Sequence, residues 1–318
     1  MIFRYLSALL VLLLVGACVG TGGGLDSVIG ASNRHANNAM TYLPEFLSGE
    51  FFTAVFNSAF MTSLVGALAG AYAGAIAAQK IGERSKARTE LQVQIRNTNA
   101  AIILSFMVFN NAISLKRQQT KELCDAYFKK KSELEIFTKK LKAGEISPGI
   151  PFEYQRDFRS FPFPAFPIDA LRSIVYEKIS VYARPLALVV ALEGALSSLA
   201  DTIAKRNELI ANCKALEASD QVRTALYFGL AYGDGHVSTE YLDTMMGLQT
   251  QTDDVVFFSH LLCNDLVTHG NKVLYHFKSQ FKRVSEQIHA IELPDKTAEL
   301  MPPDERYSEW LSGFRERK

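Results

Sequence analysis

The 318-residue sequence predicts an all-α protein: an N-terminal transmembrane helix or helical hairpin, followed by a cytoplasmic antiparallel bundle of long helices. Three observations carry this. Phe51–Gln79 contains no charged side chain, a cluster of cations follows it at once, and Ile81–Ala143 and Ser238–Ile291 are long proline-free stretches with apolar residues at three- and four-residue spacing. Apolar residues make up 48% of the chain and charged residues 21%, a composition that supports a large core and excludes a disordered tail.

The stretch 51–79 is 29 residues long, roughly 43 Å of helix at 1.5 Å per residue, enough to span a bilayer with tilt. Within it Ser58, Thr62, Gly66, Gly70, Gly74 and Ala78 recur every fourth residue, so one face is nearly bare backbone. Lipid gives helices no hydrophobic reason to associate, and close approach over small residues takes its place. Self-association through this face is one expectation; packing against the chain's own first apolar segment is the other.

Lys80, Arg84, Lys86 and Arg88 come next and are expected to meet lipid headgroups, whereas 20–50 holds Asp26, Glu45 and Glu50 against Arg34 alone. The positive-inside bias then puts everything after Lys80 in the cytoplasm, the layout of a bacterial inner-membrane protein. Residues 1–20 are apolar from Leu6 to Val19 with an early Arg4, and fit three readings. They form a retained transmembrane helix joined to the second by a short external loop, 21–50, which suits the charge bias; or a cleaved signal peptide; or, from Val15-Gly16-Ala17-Cys18, a segment ending at a lipidated Cys18.

Residues 80–142 carry fourteen Lys/Arg against six Asp/Glu in a chain of net charge +1. A basic stretch just after an apolar one points to anionic lipid; no nucleic-acid-binding motif accompanies it, and nucleic acid is not expected as a partner. Residues 80–143 read as one long basic helix, apolar on every face at 100–109 and amphipathic through Leu123, Tyr127, Leu134, Phe137 and Leu141, with Lys129, Lys130 and Lys131 in solvent. Residues 144–167 form a linker with five prolines and six aromatics, expected to lie along the helical body.

The remainder, 168–318, is expected to add helices at Ile168–Tyr182 and Pro185–Leu216 and a long one from Ser238, its N-cap, to Ile291. Glu193 argues against a membrane span over Leu186–Leu199. A seam from Tyr241 to Val273, shifting to Phe277, Phe281, Val284, Ile288 and Ile291, needs a partner, for which the earlier long helix is the natural choice.

Four features of the sequence bear on chemistry. Tyr232–Ser238 imitates half of a calcium loop, but Leu230, Tyr232 and Tyr241 stand where ligand oxygens are required, leaving a glycine-rich turn. Asp265 and His269, one turn apart and near His260, Cys263 and His276, form a candidate acid/base or metal pair. Asp253, Asp254 and Asp265 could cluster with Glu193 or His236. Finally, P-loop, dinucleotide, nucleophile-elbow, zincin and paired CxxC motifs are all missing, and neither a metal nor a cofactor is implied. The four cysteines are widely spaced, as for reduced thiols.

The expected function is therefore that of a membrane-anchored scaffold, sensor or effector, with membrane permeabilisation as its sharpest form, whose partners are the bilayer, a second copy and a protein not named by the sequence. The alternative is a membrane-tethered enzyme with Asp265, His269, His260 and Asp253 at one site.

Overall fold

A computed structural model describes residues 59–147, 149–281, 284–291 and 295–314. The readings on 1–58, including Cys18 and Ser58, lie outside the described residues. The chain divides into two compact units, Met1–Gly82 and Glu83–Lys318.

Helix α1 covers Ala59–Leu115. In the first unit every side chain from Ser63 to Gly82 is exposed, among them Leu64, Val65, Leu68, Tyr72 and Ile76. Ala and Leu favour helix and no proline interrupts it, which offsets the roughly 1 kcal/mol that each of Gly66, Gly70 and Gly74 costs relative to Ala.

In the second unit α1 is followed by a π-helical turn at Lys116–Thr120 and by α2, Lys121–Lys142. After an irregular segment come α3, Ile168–Glu177, α4, Arg184–Ala215, and α5, Asp220–Phe228. A two-stranded antiparallel hairpin, β1 at Ala231–Tyr232 and β2 at His236–Val237, turns through Gly233 and Gly235, whose φ values of 54° and 95° suit glycine. Helix α6, Glu240–Gln280, is followed by an extended run over 284–291, two 3-10 turns at Asp295–Leu300 and Asp304–Tyr307, and the short α7, Ser308–Ser312.

Helix α6 is central because apolar residues surround it: Met245, Leu248, Val255, Val256, Leu262 and Leu266 are fully buried. Each such side chain contributes about 1.5–3 kcal/mol on leaving water. One flank is α1–α2, where Cys263 meets Ile102, Ser259 meets Ser105, Asp253 meets Lys116 and Met245 meets Cys124, so the two run in opposite directions. The other flank is α4, whose Leu188, Val189, Leu192, Leu196, Leu199, Ile203 and Ile210 are buried and which packs along α6. Gly247 permits that approach: a Cβ there would meet Thr202 Oγ1 at 3.3 Å. The seam therefore packs against the earlier long helix, as its spacing predicts, and has α4 as a second partner.

Five expectations are corrected. Helix α6 stops at Gln280, since Phe281 is extended and Val284, Ile288 and Ile291 then pack as an extended run, fixed to α1 by Asn99, which donates to the Gln287 carbonyl and accepts from the His289 N–H. Its N-cap is Thr239, one residue past Ser238. The uninterrupted helix over 80–143 contains the π turn. Within 100–109, Ile103 and Met107 are exposed, because α6 covers only the opposite face. Helix α3 ends five residues before Tyr182, and α5 was not anticipated, although Ser219 caps it by accepting the Val222 N–H at 3.3 Å.

Residues 152–158 lie on the body with strand-like alternation: Phe152, Tyr154, Arg156 and Phe158 face in, while Glu153 and Gln155 face out. This places the aromatics of the proline-rich segment against the core.

Candidate functional site

The four residues proposed for a shared site on α6 do not meet. Asp253 and Asp265 are twelve positions apart, about 18 Å along a helix. Asp253 belongs to an ionic knot at one end of the body: Lys116 Nζ donates to Asp253 Oδ1 and to the Leu300 carbonyl, each at 2.6 Å, and Arg306 Nη1 donates to Asp253 Oδ2 at 3.0 Å. Both Lys116 and Asp253 are nearly buried, with side-chain exposures of 14% and 11%. The π turn begins at Lys116. Beside it Tyr307 stacks on Phe257 with ring centroids 3.7 Å apart and donates to Asp254 Oδ1 at 2.9 Å. Burial pushes the Asp254 carboxyl up from its ordinary value, against the Tyr307 hydrogen bond and Arg306. The knot ties the C-terminal turns to α6.

His260 sits elsewhere, half-buried, its ring 5.5 Å from Phe109 and its Nε2 3.2 Å from Asn264 Nδ2. Burial lowers its pKa, with Asp304 opposing. Glu193 pairs with Arg172 at 3.3 Å, and His236 lies on the exposed hairpin against Tyr232, so neither joins the aspartates. Among the described residues no three His, Cys, Asp or Glu side chains are placed to hold a metal ion. Cys124, Cys213 and Cys263 are free thiols; burial pushes Cys124 up to about 12 and Cys263 up to about 11, which keeps both protonated and unreactive.

Asp265 and His269 do share a cleft, of about 560 Å³. Arg184 grips Asp265 with two bonds, Nε to Oδ2 at 2.8 Å and Nη2 to Oδ1 at 2.5 Å. Such a bidentate pair occupies both carboxylate oxygens. His269 Nε2 is buried without a hydrogen-bond partner. Lys272, His276, Tyr182, Gln94 and Thr268 complete the polar rim. Ala183 has φ 57° and ψ −117°, a conformation that costs an L residue about 1–3 kcal/mol.

A third polar feature gave no signal in the sequence. Arg206 is wholly buried, donating from Nη1 to the Arg159 carbonyl at 2.8 Å and from Nη2 to the Asp157 carbonyl at 3.3 Å, with Phe161 and Tyr241 against its guanidinium. Its bonds clamp the proline-rich segment to α4 beside a wide groove of about 890 Å³ walled by Tyr127, Tyr154, Phe158 and Tyr227. An arginine in the middle of a helix reads as surface until the segment crossing it is known.

The surface of the first unit is of another kind. From Ser63 to Gln79 it offers only apolar or small uncharged side chains apart from Gln79 itself, and a Cβ at Gly66, Gly70 or Gly74 would meet nothing within 4 Å among the described residues. Lys80, Arg84, Lys86 and Arg88 are exposed, with Lys86 3.9 Å from Glu90 and Arg84 over the Phe281 ring. The side chains of Ser58 and Thr62 are outside the description. Two helical stretches are long and apolar enough to cross a membrane, Ser63–Lys142 and Arg184–Ala215. Comparison with protein-family models, curated proteins and solved structures gives no match.

Proposed function

We propose that the chain is an integral membrane protein of the inner membrane, held by the helix that includes 63–79, with its body from Glu83 onward on the cytoplasmic side. There it acts as a scaffold, sensor or effector by self-association and by binding a protein partner. The observation that carries the reading is the exposure of Leu64, Val65, Leu68, Tyr72 and Ile76 on a charge-free helix. An apolar surface of this length is costly in water, and hydrocarbon is the environment that removes the cost. The cations from Lys80 to Arg88 set the orientation through the positive-inside bias.

Helix α4 meets the same length and hydropathy criterion, but it is assigned to the body because one of its faces is buried against α6 and Glu193 pairs with Arg172. An enzyme on α6 is not favoured: Asp253, His260 and the Asp265–His269 pair occupy separate surroundings, and Asp265 is held by Arg184.

The test is fractionation of cells expressing the full chain. It should stay in the membrane pellet through high salt and alkaline carbonate and leave it only with detergent; recovery as a monodisperse soluble protein would reject the reading. A reporter fused after Arg88 should report the cytoplasm. Ion flux from liposomes holding the purified chain separates the permeabilising form of the proposal from a passive scaffold.

A further inference from the structure

We infer that the cleft between α6, the 181–185 turn and α1 is a binding site for an organic phosphate. Four residues on one face of α6, Asp265, His269, Lys272 and His276, line it at helical spacing, and Arg184 faces them from the start of α4. Asp265 is the one carboxylate in the lining, and both its oxygens are taken by Arg184, whose side chain is still 38% exposed and keeps Nη1 for another acceptor. Among the described residues Lys272 has no ion-pair or hydrogen-bond partner, and His269 Nε2 is buried without one. The cleft thus holds an excess of cationic donors over acceptors, the arrangement that a phosphate with several oxygens satisfies.

Size and walls define the rest of the ligand. A volume of about 560 Å³ exceeds what a bare oxyanion fills, and Val181, Pro185, Val273 and Phe314 give the remaining wall an apolar character. The strained Ala183 fixes the turn that presents Arg184, and such backbone positions concentrate at ligand clamps. Burial and Lys272 keep His269 neutral when the cleft is empty. A bound phosphate dianion reverses the sign of its surroundings, so His269 takes up a proton on binding, while Arg184, Lys272, His276, Asp265 and Tyr182 are the other charged or titratable groups lining the cleft. The phosphate is supplied by a soluble ester or by a lipid headgroup.

The experiment uses the full chain in neutral detergent micelles, with the imidazole resonances of His269 and His276 followed by NMR during titration with inorganic phosphate or with micelle-incorporated phosphatidic acid. Assignment comes from His269→Gln and His276→Gln. A saturable shift of both resonances, weakened about tenfold by Lys272→Gln as expected for one lost charge-assisted hydrogen bond, supports the site. The same titration of a Lys129→Gln/Lys130→Gln/Lys131→Gln variant should be unchanged. Saturation by inorganic phosphate identifies a soluble ligand, and saturation by phosphatidic acid alone identifies the headgroup. No saturable shift with either probe, or one indifferent to Lys272→Gln, overturns the inference.

Discussion

At the residue scale the body depends on a few buried charges that are satisfied only as sets. Asp253 is the clearest, because it answers both Lys116 and Arg306. Replacing it by Asn leaves the Lys116 ammonium in a nearly dry site, and losing one member of such a pair costs about 3 kcal/mol, or roughly 10 °C in Tm for a body of this size. Thermal unfolding of Asp253→Asn should show that fall, and Lys116→Met/Asp253→Leu should recover most of it; equal losses in both would mean that packing, not charge, is lost. His260 makes a pH-dependent contribution with a definite sign. Its folded pKa lies below the ordinary 6.5, so the unfolded chain binds the proton more readily. Stability is complete above about pH 6.5 and declines as pH falls through the window between the unfolded and folded values. His269, also depressed, adds to the same slope. Unfolding measured at several pH values should show a shallower decline in His260→Gln than in the parent protein.

At the scale of elements, the extended run after α6 is held by a close approach that the sequence conceals. Gly270 lies under Ile288: a Cβ there would come within 2.7 Å of Ile288 Cδ1, 3.1 Å of its Cγ1 and 3.1 Å of Thr98 Cγ2. Gly→Ala in an ordinary helix interior gains about 1 kcal/mol, so a loss at this position measures the docking of the run. Gly270→Ala is expected to destabilise by about 1–2 kcal/mol through overpacking and to speed exchange of the His289 amide, which bonds to Asn99. Ile288→Val in the same chain should restore both. These details explain what could be read in advance. Apolar spacing located α2, α4 and α6 because each buries a face continuous along its own axis. Spacing continued through Val284, Ile288 and Ile291, but three-and-four periodicity does not distinguish a helix from an extended run anchored side chain by side chain to a neighbour. The π turn at Lys116–Thr120 was also invisible, since its local sequence suits an α-helix and its partners, Asp253 and the Leu300 carbonyl, are far away in the chain. The site was legible to the extent that Asp265 and His269 line one cleft; Arg184, which decides its chemistry, required the fold.

For the whole molecule the remaining question is what covers the row Gly66, Gly70 and Gly74. A Cβ at any of them meets nothing within 4 Å among the described residues, so larger side chains there introduce no clash within the described part of a single chain, and Leu is a better helix former than Gly. Gly66→Leu/Gly70→Leu/Gly74→Leu should therefore leave the amount of membrane-embedded protein unchanged or raised. Helices that approach over small residues are separated by such a change, because bulky side chains hold the backbones apart and remove the dispersion contacts on which association in lipid depends. In-membrane crosslinking, or energy transfer between differently labelled copies, should then fall toward the level of random encounter in the triple variant. Leucines at Ala67, Ala71 and Ala75, the neighbouring small row, serve as the comparison: a loss confined to the glycine row fixes the face that meets the second copy. Unchanged association in the glycine variant would remove self-association through this face from the proposed function while leaving membrane anchorage intact, since anchorage rests on Leu64, Val65, Leu68, Tyr72 and Ile76.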